Sequence, residues 1–273
     1  MSWVARHWLI AVGGGILVFW IAVAVSAPVL APFPPTATMT PFLLPGAPGP
    51  NETVFLLGTD QLGRDVLSRL LYGARTVLIY APLATLCGYA IGIMSGLAAG
   101  YHRGWMDDLL SRTGDLVLAF PAIVLYITIV GRFGASGLNI VLAVTLASWP
   151  AIMRIVRSLV LDLRERSYVL AAKIRGEPTW RVMLVEILPN ARGPLIVDFS
   201  LRLGYTTIAI GTLGFLGIGL PPPNPDWGGM INEARLYALV FPHMLLFPCL
   251  AVTSFVFGCN LLADGVREMS LRP

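Results

Sequence analysis

Few side chains in this 273-residue sequence have the types and spacings that support catalysis. Its three histidines lie far apart, which excludes the H-E-x-x-H zinc motif. The only lysine, Lys173, is not preceded by the glycine of a phosphate-binding G-x-x-x-x-G-K loop. The adjacent Asp107 and Asp108 could serve acid–base chemistry, but clustered charges are usually solvated or ion-paired, here with Arg103 and Arg112. The sequence therefore predicts no catalysis by the chain itself and no metal, nucleotide or other bound cofactor.

Lys173 lies in a basic segment, residues 159–193, between two apolar stretches. Gly176 is placed to end one short helix, as glycine does at C′, and Pro178 to open a second, where a missing N–H costs nothing. In the second helix the apolar residues recur at helical spacing, and Pro189 is expected to end it. They are Trp180, Met183, Leu184, Ile187 and Leu188. This predicts a helix–glycine–helix elbow that either docks into a groove on another protein or rests on anionic lipid.

The composition is that of a membrane protein. The chain is 56% hydrophobic and 12% charged, whereas soluble domains carry about 25% charge. Uncharged runs are long enough for helices that cross a bilayer, which need about 20 apolar residues each. These runs are 8–31, 76–102, 116–131, 133–153, 203–225 and 236–263. We therefore predict an all-α integral membrane chain with six transmembrane helices, the third and fourth joined by a short turn at Arg132–Ser136.

Basic residues set the predicted orientation, because they stay on the cytoplasmic side. With both termini inside, only a minority of the 19 Lys and Arg residues fall on outer segments. These are Arg64, Arg69, Arg75, Arg132 and Arg235. The orientation in the membrane thus accounts for the basic residues, and the net charge of +4 implies no nucleic-acid partner. The first helix is expected to be retained, since Pro28 would stand just after a signal-peptide cleavage site.

The outer segments contain a proline- and glycine-rich loop, residues 32–58, followed by a predicted amphipathic helix. Asp60 is the candidate N-cap of that helix, and Leu62, Val66, Leu70 and Ala74 recur every four residues along it. We therefore divide the chain into residues 1–75 (first helix, outer loop and outer helix), a core at 76–263 that contains the 159–193 loop, and a cytoplasmic tail at 264–273.

The second predicted span has glycine at every fourth position: Gly88, Gly92, Gly96 and Gly100. Small residues on one face let helices approach closely in lipid. We expect this stripe to pack against a neighbouring helix, in preference to lining a path for a ligand.

Several motifs spread over nearly the whole chain resemble those of bacterial ABC importer permeases. The closest resemblance is to the C-type subunits of the dipeptide, oligopeptide and nickel permeases, which have the type I importer (MetI-like) fold. The matching segments are 57–76, Phe120-Pro121, Tyr168–Gly176, Ile187–Asn190 with Gly193-Pro194, Gly214–Gly219, Pro222–Gly228 and Asn260–Gly265.

The resemblance implies a multi-pass permease of the bacterial cytoplasmic membrane that imports peptides by alternating access. Its implied partners are a homologous second permease, two ATP-binding subunits or one fused ATPase, an extracytoplasmic solute-binding protein and membrane lipid, with ATP and magnesium bound by the partners. The implied coupling residues are Leu170, Ala171, Ala172, Lys173, Arg175, Gly176, Glu177 and Pro189. Within 59–69 and 221–229, the residues implied to face the binding protein are Asp60, Arg64, Asp65, Arg69, Asp226 and Trp227.

Two positions depart from the family's pattern. Leu170 stands where members have glutamate before Ala-Ala, so that a polar docking contact is absent or comes from Lys173 or Arg175. Ile210 stands where members have an acid in the fifth span, which leaves the substrate open: nickel or another small solute is the alternative to peptides.

An ATPase-independent channel or secondary carrier is the alternative of another class. The basic elbow and the absence of charges from the predicted spans disfavour it.

Overall fold

The computed structural model describes residues 8–49, 53–221 and 223–271, nearly all of whose regular structure is helical. Predictions that rest on Arg6, Pro222 or Arg272 lie outside the described residues. The helices are α1 (Trp8–Leu30), α2 (Val66–His102), α3 (Gly104–Leu118), α4 (Ala122–Phe133), α5 (Gly137–Leu163), α6 (Ser167–Ile174), α7 (Thr179–Arg181), α8 (Arg192–Phe215), α9 (Trp227–Ala234) and α10 (His243–Leu271). A π-helical turn, Val182–Ile187, and a 3₁₀ turn, Leu188–Ala191, join α7 to α8. In the outer loop, β1 (Ala47–Pro48) pairs antiparallel with β2 (Val54–Phe55).

Fewer helices than the predicted six are long and apolar enough to cross a membrane. Among the described residues four qualify, namely α1, α2, α5 and α10. A fifth is counted if α3 and α4, which meet at 85°, form one broken span. The break falls at residues 119–121, inside the predicted third span, because Pro121 has no N–H to continue the α3 hydrogen-bond ladder.

The predicted fifth span, residues 203–225, is displaced in the structure. Helix α8 begins at Arg192 and ends at Phe215, so that residues 216–221 and 223–225 of the prediction lie in a loop. Three charged residues, Arg192, Asp198 and Arg202, therefore lie on the helix. The Nε of Arg202 donates to Asp198 Oδ2 at 2.7 Å. The sequence prediction looked for long runs without charged residues, and such a search misplaces a helix whose charged residues pair with each other.

The first turns of α2 replace the separate outer helix that the sequence predicted. The N-cap is Asp65, not Asp60: its carboxylate accepts from the backbone N–H of Ser68 at 2.8 Å. From Val66 the helix runs without interruption for 37 residues to His102. Asp60 lies before it, where its carboxylate accepts from the backbone N–H groups of Leu62 and Arg64. Likewise α10 continues to Leu271, so the predicted tail begins as helix.

Close packing of α2 against α5 confirms the interpretation of the glycine stripe. A Cβ at Gly92 would lie 2.5 Å from Ile152 Cγ2, and one at Gly96 would lie 2.6 Å from Val156 Cβ. Gly88 and Gly100 meet Ser148 and Val160 in the same way. Contacts advance together along both helices, so α2 and α5 run parallel. No residue with a side chain fits on this face of α2 without displacing α5.

Ion pairs and hydrogen bonds reinforce this helix pair at its cytoplasmic end. Arg157 on α5 forms a two-pronged contact with Asp107 on α3, at 2.5 and 2.7 Å. Asp107 thus pairs with Arg157 and not with the predicted Arg103 or Arg112. Arg164, just after α5, donates to the carbonyls of Gly100 and Tyr101 at the end of α2, a known way of satisfying the last carbonyls of a helix.

We expect Gly96→Leu to destabilise the protein by about 1–3 kcal/mol, the usual cost of overpacking a close contact. The measurement is the midpoint temperature at which the detergent-purified protein loses its monodisperse peak. Gly15→Leu is the control, because no heavy atom outside its own helix backbone lies within 4 Å of a Cβ there. Equal midpoints for the two variants would contradict the packing role.

Candidate functional site

The elbow predicted at Gly176 is present. Helix α6 ends at Ile174, and Gly176 follows with a φ of 75°, a conformation that favours glycine. The N–H of Gly176 donates to the carbonyl of Lys173, and that of Glu177 to the carbonyl of Ala172. Pro178 then caps α7. No heavy atom lies within 4 Å of a Cβ at Gly176, so the constraint here is backbone conformation and not crowding.

The second limb differs from the prediction. Only Thr179–Arg181 is α-helical, and the π turn Val182–Ile187 and 3₁₀ turn Leu188–Ala191 lead directly into α8. Pro189 therefore does not end the limb. It stands early in the 3₁₀ turn, where its missing N–H is tolerated.

The altered helical register splits the predicted apolar stripe. The buried positions of this limb are Val182 and Ile187, while Trp180 is 60% exposed and Leu184 is 49% exposed. A π turn takes more residues per turn than an α-helix. The prediction assumed the α-helical spacing of 3.6 residues, and it therefore assigned the wrong side chains to the buried face.

The elbow is anchored by a few buried side chains. Val169 and Ala172 of α6, with Val182 and Ile187, are fully buried in a cluster that includes Leu97 of α2 and Val156 and Val160 of α5. Lys173 turns back toward the membrane helices, where its ammonium lies 5.1 Å from the ring centroid of Tyr101 at the end of α2. Of the predicted coupling residues, Ala172 and Lys173 thus support the elbow from within.

Several apolar side chains on both limbs of the elbow are exposed. Ile174 is 87% exposed, and Leu170, Ala171, Trp180 and Val185 are exposed as well. We call these residues and Leu184 the elbow patch. Leu170, which stands where the sequence resemblance led us to expect glutamate, belongs to this patch. Proteins rarely leave such a surface without a partner.

Charged residues border the elbow patch. The half-buried Glu177 accepts from Arg175 at 2.7 Å and lies 3.7 Å from Arg181. Arg175 also lies 3.9 Å from Glu186. Both arginines are more than half exposed, so these pairs orient the loop and add little stability.

On the outer side, Asp60, Arg64, Arg69 and Glu233 form a compact group that we call the outer charge cluster. Asp60 Oδ2 accepts from Arg64 Nε at 2.7 Å and from Arg69 Nη1 at 2.5 Å. Glu233 Oε2, on α9, accepts from Arg64 Nη2 at 2.5 Å and from Arg69 Nη1 at 2.6 Å. Burial alone would raise the pKa of Glu233, but the hydrogen bond and charges of the two arginines outweigh it and lower this pKa. Nothing in the sequence around Glu233 predicts its place in this cluster, because its two arginine partners lie more than 160 residues away.

The residues predicted to face a binding protein are mostly internal. Asp65, Arg69, Asp226 and Trp227 are buried, as is Asp60. Asp226 caps α9 by accepting from Gly229 N, and burial raises the pKa of this carboxyl. Trp227 is fully buried and donates from Nε1 to the carbonyl of Leu70 at 3.0 Å. Each of these side chains satisfies its polar groups inside the fold, and their contact with a binding protein stays a prediction.

Above the outer charge cluster lies an open cavity of about 420 Å³. Its walls come from the outer loop, the start of α2, the loop after α8 and α9. They include Thr36, Leu62, Arg64, Asn224 and Asn232. The cluster thus holds together the segments that shape the outer surface.

Residues 88–272 match the family described as binding-protein-dependent transport system inner membrane components. This chain belongs to that family. The permease is 42% identical over 212 residues to the glutathione transport system permease protein GsiD of Pectobacterium atrosepticum, covering 78% of this chain and 70% of that protein. It is 39% identical over 211 residues to GsiD of Escherichia coli, covering 77% and 70%.

A solved structure of the MetNI methionine ABC transporter in inward-facing conformations contains a chain with the same fold. The TM-score is 0.62 at 14% identity, covering 75% of this chain and 97% of that one. The prediction of a MetI-like importer permease is confirmed. The permease is a subunit of an ABC importer of the inner membrane, works with an ATPase and a binding protein, and is not itself the catalytic subunit.

We expect Gly176→Val to strain the elbow, since a positive φ costs a side chain with a Cβ about 1–2 kcal/mol. The backbone bonds of Gly176 and Glu177 should open roughly 5–30 times more often, measured by amide hydrogen exchange over residues 167–191. Gly176→Asn is the matched control, because asparagine tolerates this conformation. Equal exchange in both variants would show that the glycine conformation is not required.

We expect Arg69→Leu to destabilise the permease by about 3–5 kcal/mol, the cost of removing one partner from a buried ion pair. Only Arg64 would then face the carboxylates of Asp60 and Glu233. Arg75→Leu, an exposed arginine on the same helix, should change stability by less than about 0.5 kcal/mol. Thermal unfolding of the purified variants compares the two, and a similar small effect of both would contradict the structural role of the cluster.

Proposed function

We propose that this permease pairs with a homologous second permease to import short peptides, driven by two ATP-binding units that are separate or fused. The observation that carries the substrate class is the 42% identity to a permease named for glutathione transport. Glutathione is a tripeptide, and the similarity spans most of both chains.

The elbow patch is proposed as the surface that docks into a groove of the ATPase. Ile174 and Trp180 present large exposed apolar surfaces, and burial of an apolar side chain of this size contributes about 1.5–3 kcal/mol. Arg175 and Arg181 at the border would orient the docked elbow. The arginines at the border are paired with Glu177 and Glu186, whereas a helix resting on lipid would direct unpaired basic residues toward the headgroups, so a protein groove is the better fit.

The buried side chains of the elbow could transmit movement of the ATPase units to the helices α2 and α5. Val169, Ala172, Val182 and Ile187 are packed against α2 and α5, and Arg164 ties the end of α5 to the end of α2. When ATP draws the two ATPase units together, the elbows would move with them and carry these helices. We propose that this movement opens the path outward and that hydrolysis resets it inward.

On the outer side, the rim of the 420 Å³ cavity is the proposed contact for the binding protein. Thr36, Leu62 and Asn224 are exposed there. Asp60, Arg64 and Arg69 would act indirectly, by holding the rim in shape from below.

The test uses the complete importer in liposomes with its binding protein outside and ATP inside. The wild type is expected to accumulate radiolabelled glutathione or trialanine only when both are present. Ile174→Asp should reduce uptake at least about tenfold, because a charge replaces an apolar docking contact, and less ATPase should co-purify.

Leu44→Asp is the control, an equivalent change at an exposed leucine of the outer loop, and it should leave ATPase co-purification unchanged. Full uptake by Ile174→Asp would contradict the docking role. ATP-dependent uptake of neither peptide by the wild type would contradict the substrate class.

A further inference from the structure

A second cavity, of about 180 Å³, lies among the helices α2, α4, α5 and α8. Polar groups gather on its wall in a region where most side chains are apolar. The lining residues that carry them are Thr85, Tyr126, Ser148, Tyr205, Thr206 and Arg202, of which Thr85 and Ser148 also donate to backbone carbonyls of their own helices. Such a group of hydroxyls around one cation is what an anionic ligand requires in place of water.

Arg202 is held in place from one side. Its Nε donates to Asp198 Oδ2 at 2.7 Å, and the same carboxylate accepts from the hydroxyl of Tyr89. Tyr89 also lies close enough to interact with the guanidinium directly, and the Arg202 side chain is only 16% exposed. Because Arg202 lines the cavity, the part of its guanidinium that these partners do not engage can donate to a ligand there.

The depth of Arg202 makes this arrangement notable. It lines the same cavity as Thr85 and Ser148, which stand near the middle of the membrane-length helices α2 and α5. An ionisable group at this depth is costly and indicates function. Ile210, where the sequence resemblance led us to expect an acid, is buried in the core and does not line the cavity.

The volume indicates which part of a ligand enters. At 180 Å³ the cavity is smaller than the roughly 300–1,000 Å³ of a complete ligand pocket. It can take a carboxylate and the residue that carries it, with the rest of the ligand reaching toward a facing subunit.

We propose that this cavity binds the C-terminal carboxylate of the peptide in transit, through the guanidinium of Arg202 and the neighbouring hydroxyls. This proposal rests on the proposed peptide import. Asp198 and Arg202 already cancel in charge, so a zwitterionic peptide, whose ammonium balances its own carboxylate, leaves the site neutral overall. A planar guanidinium matches a carboxylate with two parallel hydrogen bonds, which an ammonium cannot do.

The test measures equilibrium binding of radiolabelled trialanine and trialanine amide to the inward-facing complex in nanodiscs, without binding protein. The wild type is expected to prefer the acid by at least about tenfold, since a charge-assisted pair of hydrogen bonds is lost with the amide. Arg202→Gln should remove this preference, and Arg202→Lys should restore only part of it. Arg154→Gln, an exposed arginine outside the cavity, should retain it.

If Arg202→Gln prevents assembly by leaving Asp198 unpaired, the double variant Asp198→Asn/Arg202→Gln removes both charges and should bind acid and amide equally. A wild type without preference, or a variant that keeps it, would overturn the site. ATP-driven uptake in liposomes is measured in parallel: uptake with no acid preference overturns this site alone, whereas no uptake at all overturns the proposed peptide import.

Discussion

The close approach of α2 and α5 is the contact on which the other parts of this permease depend. Four glycines bring the two backbones together so tightly that a single methyl group on any of them would meet α5. In a bilayer no hydrophobic effect drives helices together, so such packing supplies much of the association energy. The parallel course of the two helices then brings their ends, at residues 102 and 163, to the same side of the protein.

Both functional regions are attached to this pair. At the outer end, α2 begins with Asp65 as its cap and contributes Arg69 to the cluster that holds α9. At the inner end, Arg164 and Lys173 tie the elbow to the last residues of α2. A rigid helix 37 residues long therefore connects the two surfaces. Movement at the elbow can reach the outer surface without a flexible link between them.

Charged residues in this permease serve different purposes according to their depth. Those of the outer charge cluster are matched, two acids with two bases, and hold loops together. Those of the elbow are exposed and border an apolar patch. Asp198 and Arg202, by contrast, lie within α8 beside a cavity. A pair at that depth costs desolvation energy that its own attraction does not clearly recover, which favours a role in handling a ligand.

The sequence by itself determined the membrane class, the helical character, the existence of α1, α2, α5 and α10 though not all of their bounds, the glycine contact and the break at Gly176. Each of these predictions follows from local chemistry: the length of the apolar runs, the missing side chain of glycine, or the backbone conformation with which glycine ends a helix. Only the tertiary structure decided that Asp60 and Arg69 are internal, that Glu233 joins them, and that α8 includes Asp198 and Arg202. These outcomes depend on partners far apart in the chain, and a charged side chain looks the same in sequence whether water or a buried counter-ion satisfies it.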